Sequence, residues 1–259
     1  MILSNHPLFQ QERLTMKNMT NILNNHVKEI EQIDKELLTL PKGYLVEKRS
    51  YYYHVVKEVQ TGITKNTELI QQLCRKRYLL VRKKQLENNI SATSVSDLDT
   101  RTSKELITAL PNAYQTVPIS YFYHPSIKAW LAKRQTKNTL YLESAIYSYN
   151  GMNFRSMAER IIAEQLDKND LLFQYEPRFD LGNKQVSPDF LVKNPFNAKT
   201  IIWEHFGALN QEKYADAMND KMDTYINLGF TPFENLIATY QYHIRKTERI
   251  QELIEQIIL

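Results

Sequence analysis

The amino-acid sequence predicts a mixed α+β fold preceded by an N-terminal helical arm. Three observations lead there. Met16, Met19, Leu23, His26, Ile30, Ile33, Leu37 and Leu40 recur at alternating steps of three and four, the seam of a long helix that needs a partner. Two runs rich in Val, Ile, Phe and Trp, residues 186–192 and 200–206, flank the turn-like "KNPFNAK" and read as a hairpin. Amphipathic helical patterns stand before that hairpin, from about Arg155, and after it, over residues 210–228.

Taken in order, the seam helix ends at "LPKG", where Pro and Gly break helical continuity. "YLVEKRSYYYHVVKEVQTGIT" then alternates aromatic and β-branched runs with polar breaks, the pattern of a small hairpin or three-stranded meander. A second helix is expected over residues 67–89, packed antiparallel on the first with the small sheet at their tip. Residues 1–90 thus form the arm, with His26 and His54 as structural histidines. Residues 91–103, Ser/Thr/Asp-rich and without apolar periodicity, read as a linker or exposed loop. Residues 104–149 are expected to be a mainly helical connection, including the amphipathic "HPSIKAWLAKRQTKN", and residues 150–259 the second domain.

Composition narrows the function classes. The chain has 259 residues and is 42% hydrophobic, enough to bury a core. No run approaches the length of a membrane span, and "MILSNHPLFQQER" lacks the pattern of a signal peptide, so a cytoplasmic protein is expected. A single cysteine, Cys74, excludes an internal disulfide and a CxxC metal site and reads as an apolar filler. No phosphate-cradling glycine loop occurs among only six glycines, which argues against ATP-driven chemistry. Residues 1–150 carry 21 Lys and Arg against 13 Asp and Glu, whereas residues 151–259 carry 12 against 16. The basic half is the expected nucleic-acid holder. Its densest run, "RKRYLLVRKK", contributes Arg75, Lys76, Arg77, Arg82, Lys83 and Lys84. Lys128, Lys133, Arg134 and Lys137 form a second group around Trp130. Such cations hold phosphate without reading sequence; alternatively, they form only a solvated helix face.

The hairpin carries the chemistry. A symmetric loop sets Val192 opposite Ile201 and therefore Asp189 opposite Glu204. Facing carboxylates repel, and in so apolar a hairpin they would also be desolvated, so a cation is expected between them. Oxygen ligands of this kind suit Mg2+ or Mn2+. The plainer alternative is a pair of strand-end carboxylates looking into solvent. On the following helix Tyr214, Met218, Lys221 and Tyr225 share one face, which sets a cation within an apolar stripe. Lys221 either meets the carboxylates and a substrate phosphate or snorkels past Tyr225 to water. Glu159, at the edge of the stripe formed by Ala158, Ile161, Ile162 and Leu166, is a third candidate acid. Arg155, one turn earlier, is a candidate phosphate contact, and Glu176 a weaker metal-shell candidate.

"SPDF" followed at an interval by "WEHFG" resembles the metal-binding heart of the PD-(D/E)xK nuclease superfamily. "NFRSMAERIIAEQL" and "FQYEPRF" resemble the helix and strand that precede this heart in a bacterial branch, and "EKYADAMNDKMDTYINLGFTPFENLIATY" the helix and strand that follow it. The likeness covers roughly residues 150–240. It implies a restriction-endonuclease-like core, a mixed central sheet flanked by helices. It also implies divalent-metal-dependent phosphodiester hydrolysis, with Asp189, Glu204, Glu159 and the backbone carbonyl of His205 in the metal shell. One position departs from the pattern. The residue sharing Glu204's face two places on is Phe206, where the superfamily has lysine, and His205 points to the other face. "KMDTY" resembles the Gln-x-x-x-Tyr element of recombination nucleases with Lys in place of Gln, which nominates Lys221 as the substitute. DNA is favoured over RNA as substrate, and a homodimer or partner protein through the N-terminal helix is anticipated. A non-catalytic nucleic-acid-binding module and a coiled-coil assembly protein remain the other classes.

Overall fold

A computed structural model describes residues 7–132, 145–180, 185–207, 212–232 and 234–257. The chain divides into two compact units, residues 1–123 and 124–259. Both helices and strands occur, with a mixed sheet in the second unit, so the fold is α+β.

In the first unit, α1 (Pro7–Leu37) is followed by β1 (Tyr44–Lys48), β2 (Tyr51–Val56) and β3 (Val59–Gly62), and then by α2 (Thr67–Ile90). The strands form an antiparallel meander in the order β1-β2-β3. Both of its loops have two central residues at positive φ, Arg49 with Ser50 and Lys57 with Glu58. That is the turn geometry matching strand twist, reached here without its usual glycine or asparagine. Gly43, at φ 87°, is required at the entry to β1, because a Cβ there would collide with the carbonyl oxygen of Val55. The helices run antiparallel. Glu36 meets Arg75 and, seven residues towards the start of α1, Glu29 meets Arg82 seven residues further along α2. Ile33 is the buried member of the described part of the seam; the side chains of Met16 and Met19 lie outside the described residues.

The stretch expected as a linker or exposed loop is largely exposed, and its second half is fastened to α2. Asn89 exchanges hydrogen bonds with the backbone of Asp99 at 2.7 and 3.1 Å, and the Gln85 amide donates to the Arg101 carbonyl at 2.8 Å. Next come α3 (Ser103–Thr108), opened by a Thr102/Glu105 capping box, α4 (Asn112–Gln115) and a 3-10 turn at Ile119–Phe122. These pack into the first unit: Phe122 is fully buried, and the Tyr114 hydroxyl accepts the Leu45 amide at 2.9 Å. The expected connecting region is therefore split, its first part closing the arm rather than linking it to the second unit.

The second unit opens with α5 (Ser126–Ala132) and the hairpin β4 (Tyr147–Tyr149) and β5 (Met152–Phe154), and continues into α6 (Met157–Lys168). Then follow β6 (Leu172–Tyr175), β7 (Phe179–Asp180), β8 (Gln185–Val186), β9 (Phe190–Lys193), β10 (Thr200–Phe206), α7 (Glu212–Asn227), β11 (Leu236–Tyr240), α8 (Gln241–Ile244) and α9 (Thr247–Ile257). The main sheet runs β11-β10-β9-β6, with β10 antiparallel to β9 and parallel to β11. The expected hairpin register is present, Val192 pairing with Ile201 and Phe190 with Trp203. The regular part of β9 is shorter than expected, beginning at Phe190. Alternation along β10 sends Ile201 and Trp203 into a core with α6, α8 and α9, and Ile202 into a second core with Tyr225 and Met222 of α7. Glu204 thus emerges on the α7 side.

Candidate metal and hydrolytic site

Asp189 lies one residue before the paired part of β9, and its Oδ2 accepts the backbone amide of His205 at 2.7 Å. Glu204, 1% exposed, follows Trp203 on β10. Lys221 of α7 donates to both of its carboxylate oxygens, at 2.9 and 3.0 Å, and Tyr225, one helical turn on, donates its hydroxyl to Oε1. The strand position that could have supplied a cation is closed: Phe206 is buried, 6.0 Å from the Tyr240 ring.

The electrostatics follow from burial. Removal from water pushes the Asp189 carboxyl well above the usual carboxylate range; the neighbouring Glu204 charge adds to this and Lys221 opposes it. Glu204 is raised for the same first reason, against the pull of Lys221 and Tyr225. Burial works to discharge Lys221, yet Glu204 and Asp189 outweigh it and hold the amine above its ordinary value. The Tyr225 hydroxyl is raised, first by burial and then by Glu204.

No family model and no solved structure matches the chain. Over 191 residues, 72% of the chain, it is 26% identical to an uncharacterized protein of Methanocaldococcus jannaschii. The match spans 12% of that protein's length.

The other two candidate acids, Glu159 and Glu176, are also buried. Glu159 is buried, but as the third residue of α6 it closes a capping box with Ser156. Its Oε2 accepts the amides of Arg155 and Ser156 at 3.0 and 3.3 Å and the Tyr175 hydroxyl at 2.6 Å. Its Oε2 thus serves the helix cap and Tyr175, and its charge is felt at Asp189 and His205. Arg155 is not an open surface cation, because its guanidinium is ion-paired with the buried Glu176. Burial raises Glu176, with Arg155 opposing.

His205 contributes its amide to Asp189 and turns its ring to the opposite face, as strand alternation requires. Thr239, a residue that sequence reasoning did not single out, organises that face. Its hydroxyl oxygen accepts the Trp203 indole N–H at 3.0 Å, lies 3.2 Å from the Glu204 carbonyl and lies 3.2 Å from His205 Nδ1. All three contacts are satisfied together if the hydroxyl donates to the carbonyl and Nδ1–H donates to the hydroxyl.

Among the described residues no group of three or more His, Cys, Asp or Glu side chains is arranged to hold a metal. The donor chemistry nevertheless fits a hard divalent ion. A carboxylate offers about four lone-pair positions. The three donations to Glu204 and the one to Asp189 leave acceptor capacity on both residues. Mg2+ characteristically binds through one or two carboxylates, the rest of its shell being water and substrate phosphate.

Of the six cations in the basic run, four are engaged within the first unit. Arg75 is buried, paired with Glu36 at 2.8 and 2.9 Å and donating to the Phe122 carbonyl at 2.9 Å. Arg82 pairs with Glu29 at 2.8 and 3.1 Å. Lys83 reaches Asp34 at 2.5 Å, and Lys76 donates to the carbonyls of Pro41 and Gly43 at 2.7 and 3.1 Å. These four join α1 and the β1 entry to α2, so the run is not one open phosphate-binding face. Arg77 and Lys84 lie on a groove described below. Lys128 is exposed on α5; Lys133, Arg134 and Lys137 lie outside the described residues.

Proposed function

We propose that the chain is a divalent-metal-dependent nuclease with a restriction-endonuclease-like core, hydrolysing phosphodiester bonds, of DNA before RNA. The observation that carries this reading is Lys221 bridging both oxygens of Glu204 on the face that also bears Asp189. The cation missing at Phe206 is supplied across the sheet face from α7. Asp189 and Glu204 are the residues that would hold Mg2+ or Mn2+, joined by the His205 carbonyl in the resemblance-based assignment. When bound, the ion supplies Lewis acidity towards a water and the scissile phosphate. Lys221 keeps Glu204 ionised in its buried setting and presents a fixed positive charge where negative charge develops on the phosphate. Tyr225 orients Glu204, and the His205 amide orients Asp189. No helix among the described residues is long and apolar enough to cross a membrane.

A second reading has one observation in its favour. Glu204 is already neutralised by Lys221, as in a purely structural buried pair, which suits a nucleic-acid-binding module without chemistry. Cleavage of circular and linear DNA by the purified chain with Mn2+, Mg2+ or EDTA, beside Glu204→Ala, separates the two. The nuclease reading requires metal-dependent cleavage that the variant loses. Binding without cleavage on DNA and RNA alike selects the second reading.

A further inference from the structure

We infer that the outer face of α2 carries a phosphate-binding groove that takes the backbone of a nucleic acid, built from the two members of the basic run that do not join α1 to α2. The choice of a nucleic acid over another polyanion rests on the nuclease reading; the groove itself does not. It has a volume of about 410 Å3 and is lined by Arg77, Leu80, Val81, Lys84, Asn88 and Arg101, together with Gln85. Arg77, Leu80/Val81, Lys84 and Asn88 fall at successive three- and four-residue steps, so they form one stripe along the helix.

Two observations set this stripe apart from its neighbours. Lys84 is exposed and makes no hydrogen bond or ion pair with the described residues, whereas adjacent Lys83 is tied to Asp34. The Nε of Arg77 is buried without a hydrogen-bond partner among the described residues, a donor that a bound anion can reorient to satisfy. Arg101 on the rim is held by Asp99 at 2.5 Å, and Gln85 is engaged with Arg82 at 2.8 Å. The free positive charge is thus that of Arg77 and Lys84. They lie seven residues apart, about 10 Å along the helix axis and comparable to the axial rise of roughly three phosphates of one strand. Leu80, 43% exposed, and Val81 floor the space between them with aliphatic surface. The first unit as a whole carries 17 Lys and Arg against 12 Asp and Glu, so the surrounding charge also favours a polyanion.

The test is fluorescence anisotropy of labelled duplex and single-stranded DNA and RNA with the full chain in EDTA, where cleavage plays no part. For Arg77→Ala/Lys84→Glu the affinity is expected to fall at least about tenfold. For duplex DNA the salt slope is expected to flatten by about 2, at roughly 0.9 per lost phosphate contact. Lys65→Ala, removing an exposed cation elsewhere on the unit, leaves both unchanged. Lys84→Ala alone, a change that breaks no hydrogen bond or ion pair with the described residues, flattens the slope by about 0.9 and decides the matter if the double variant fails to fold. Unchanged slopes in the groove variants overturn the proposal. So does a wild-type chain that binds polyglutamate but no nucleic acid. Nucleic-acid binding in EDTA that the groove variants lose, together with absent metal-dependent cleavage, upholds this inference while removing the nuclease reading.

Discussion

Lys221→Met removes the cation from a carboxylate that is 1% exposed, and its consequence can be bounded. Glu204 can always escape an uncompensated charge by taking up a proton. From an unfolded-state pKa near 4.3, protonation at pH 7 costs about 3.7 kcal/mol, which is a ceiling on the destabilisation. The Lys221 side chain is 36% exposed, so water already screens part of the pair, and about 2–3 kcal/mol is expected. That corresponds to a Tm lower by roughly 5–10 °C. At pH 5 the ceiling falls to about 1 kcal/mol, so the deficit should shrink on acidification. Adding Glu204→Gln removes both charges and should restore most of the stability, since a neutral replacement of a buried pair is well tolerated. On the nuclease reading, cleavage in Mn2+ should behave differently, falling about 100- to 1,000-fold in Lys221→Met and staying low in the double variant. Urea denaturation at both pH values, run beside the cleavage assay, checks each part. An equal deficit at pH 5 and 7 would show that the lysine does not compensate Glu204, and full-rate cleavage by Lys221→Met would remove it from the mechanism.

On the same reading, Phe206→Lys in a Lys221→Met background places a cation on the strand and should recover part of the lost cleavage; no recovery in a folded protein would show that the α7 origin of the charge matters. Arg75→Met strands the Glu36 carboxylate and the Phe122 carbonyl and should destabilise the first unit by about 3 kcal/mol, followed by circular dichroism in urea, with Glu36→Gln restoring much of it. Asp189, held above its ordinary range, keeps a proton that the unfolded chain releases above about pH 4, so metal-free stability should decline as pH rises from there through the raised native value. Asp189→Asn should flatten that decline, and parallel urea midpoints for the two proteins across pH 4.5–8 would contradict it. Burial pushes the Cys74 thiol up to about 12, so it should resist a disulfide reagent at pH 8 until urea unfolds the chain.

What the sequence made legible was local. The pairing of Val192 with Ile201 follows from loop symmetry, and the opposite sidedness of Glu204 and His205 from strand alternation, so both could be read without tertiary information. Lys221 and Tyr225 were readable as one face of a helix, four residues apart. The partners of charged groups were not. Arg75, Arg82 and Lys83 find carboxylates on α1 that are 39 to 53 residues away in the chain, and nothing in "RKRYLLVRKK" distinguishes them from Arg77 and Lys84. Glu159 was ambiguous for another reason. "SMAE" is a capping-box pattern as well as a candidate acid, and Glu159 does form the cap, through Oε2. The two tight turns of the small sheet fall at the polar breaks that pointed to a meander, but their positive-φ geometry could not be read, because Arg49, Ser50, Lys57 and Glu58 carry no glycine signal.

Supplying the cation from a helix couples the site to the packing of that helix. A lysine at position 206 would be fixed by the sheet ladder itself, whereas Lys221 reaches Glu204 only when α7 is docked. The docking surface and the site share residues: fully buried Tyr225 packs with Ile202 and Leu236 through its ring and donates to Glu204 through its hydroxyl. Before α7 packs, Glu204 and Asp189 would face each other with no compensating charge, which strand pairing alone would oppose. Once it packs, one side chain adds apolar burial while its neighbour one turn away neutralises the strand carboxylate. Closure of this core and assembly of the charge pair are therefore one event, and a cavity made at Ile202 or Leu236 should weaken the Lys221 contact without touching either charge.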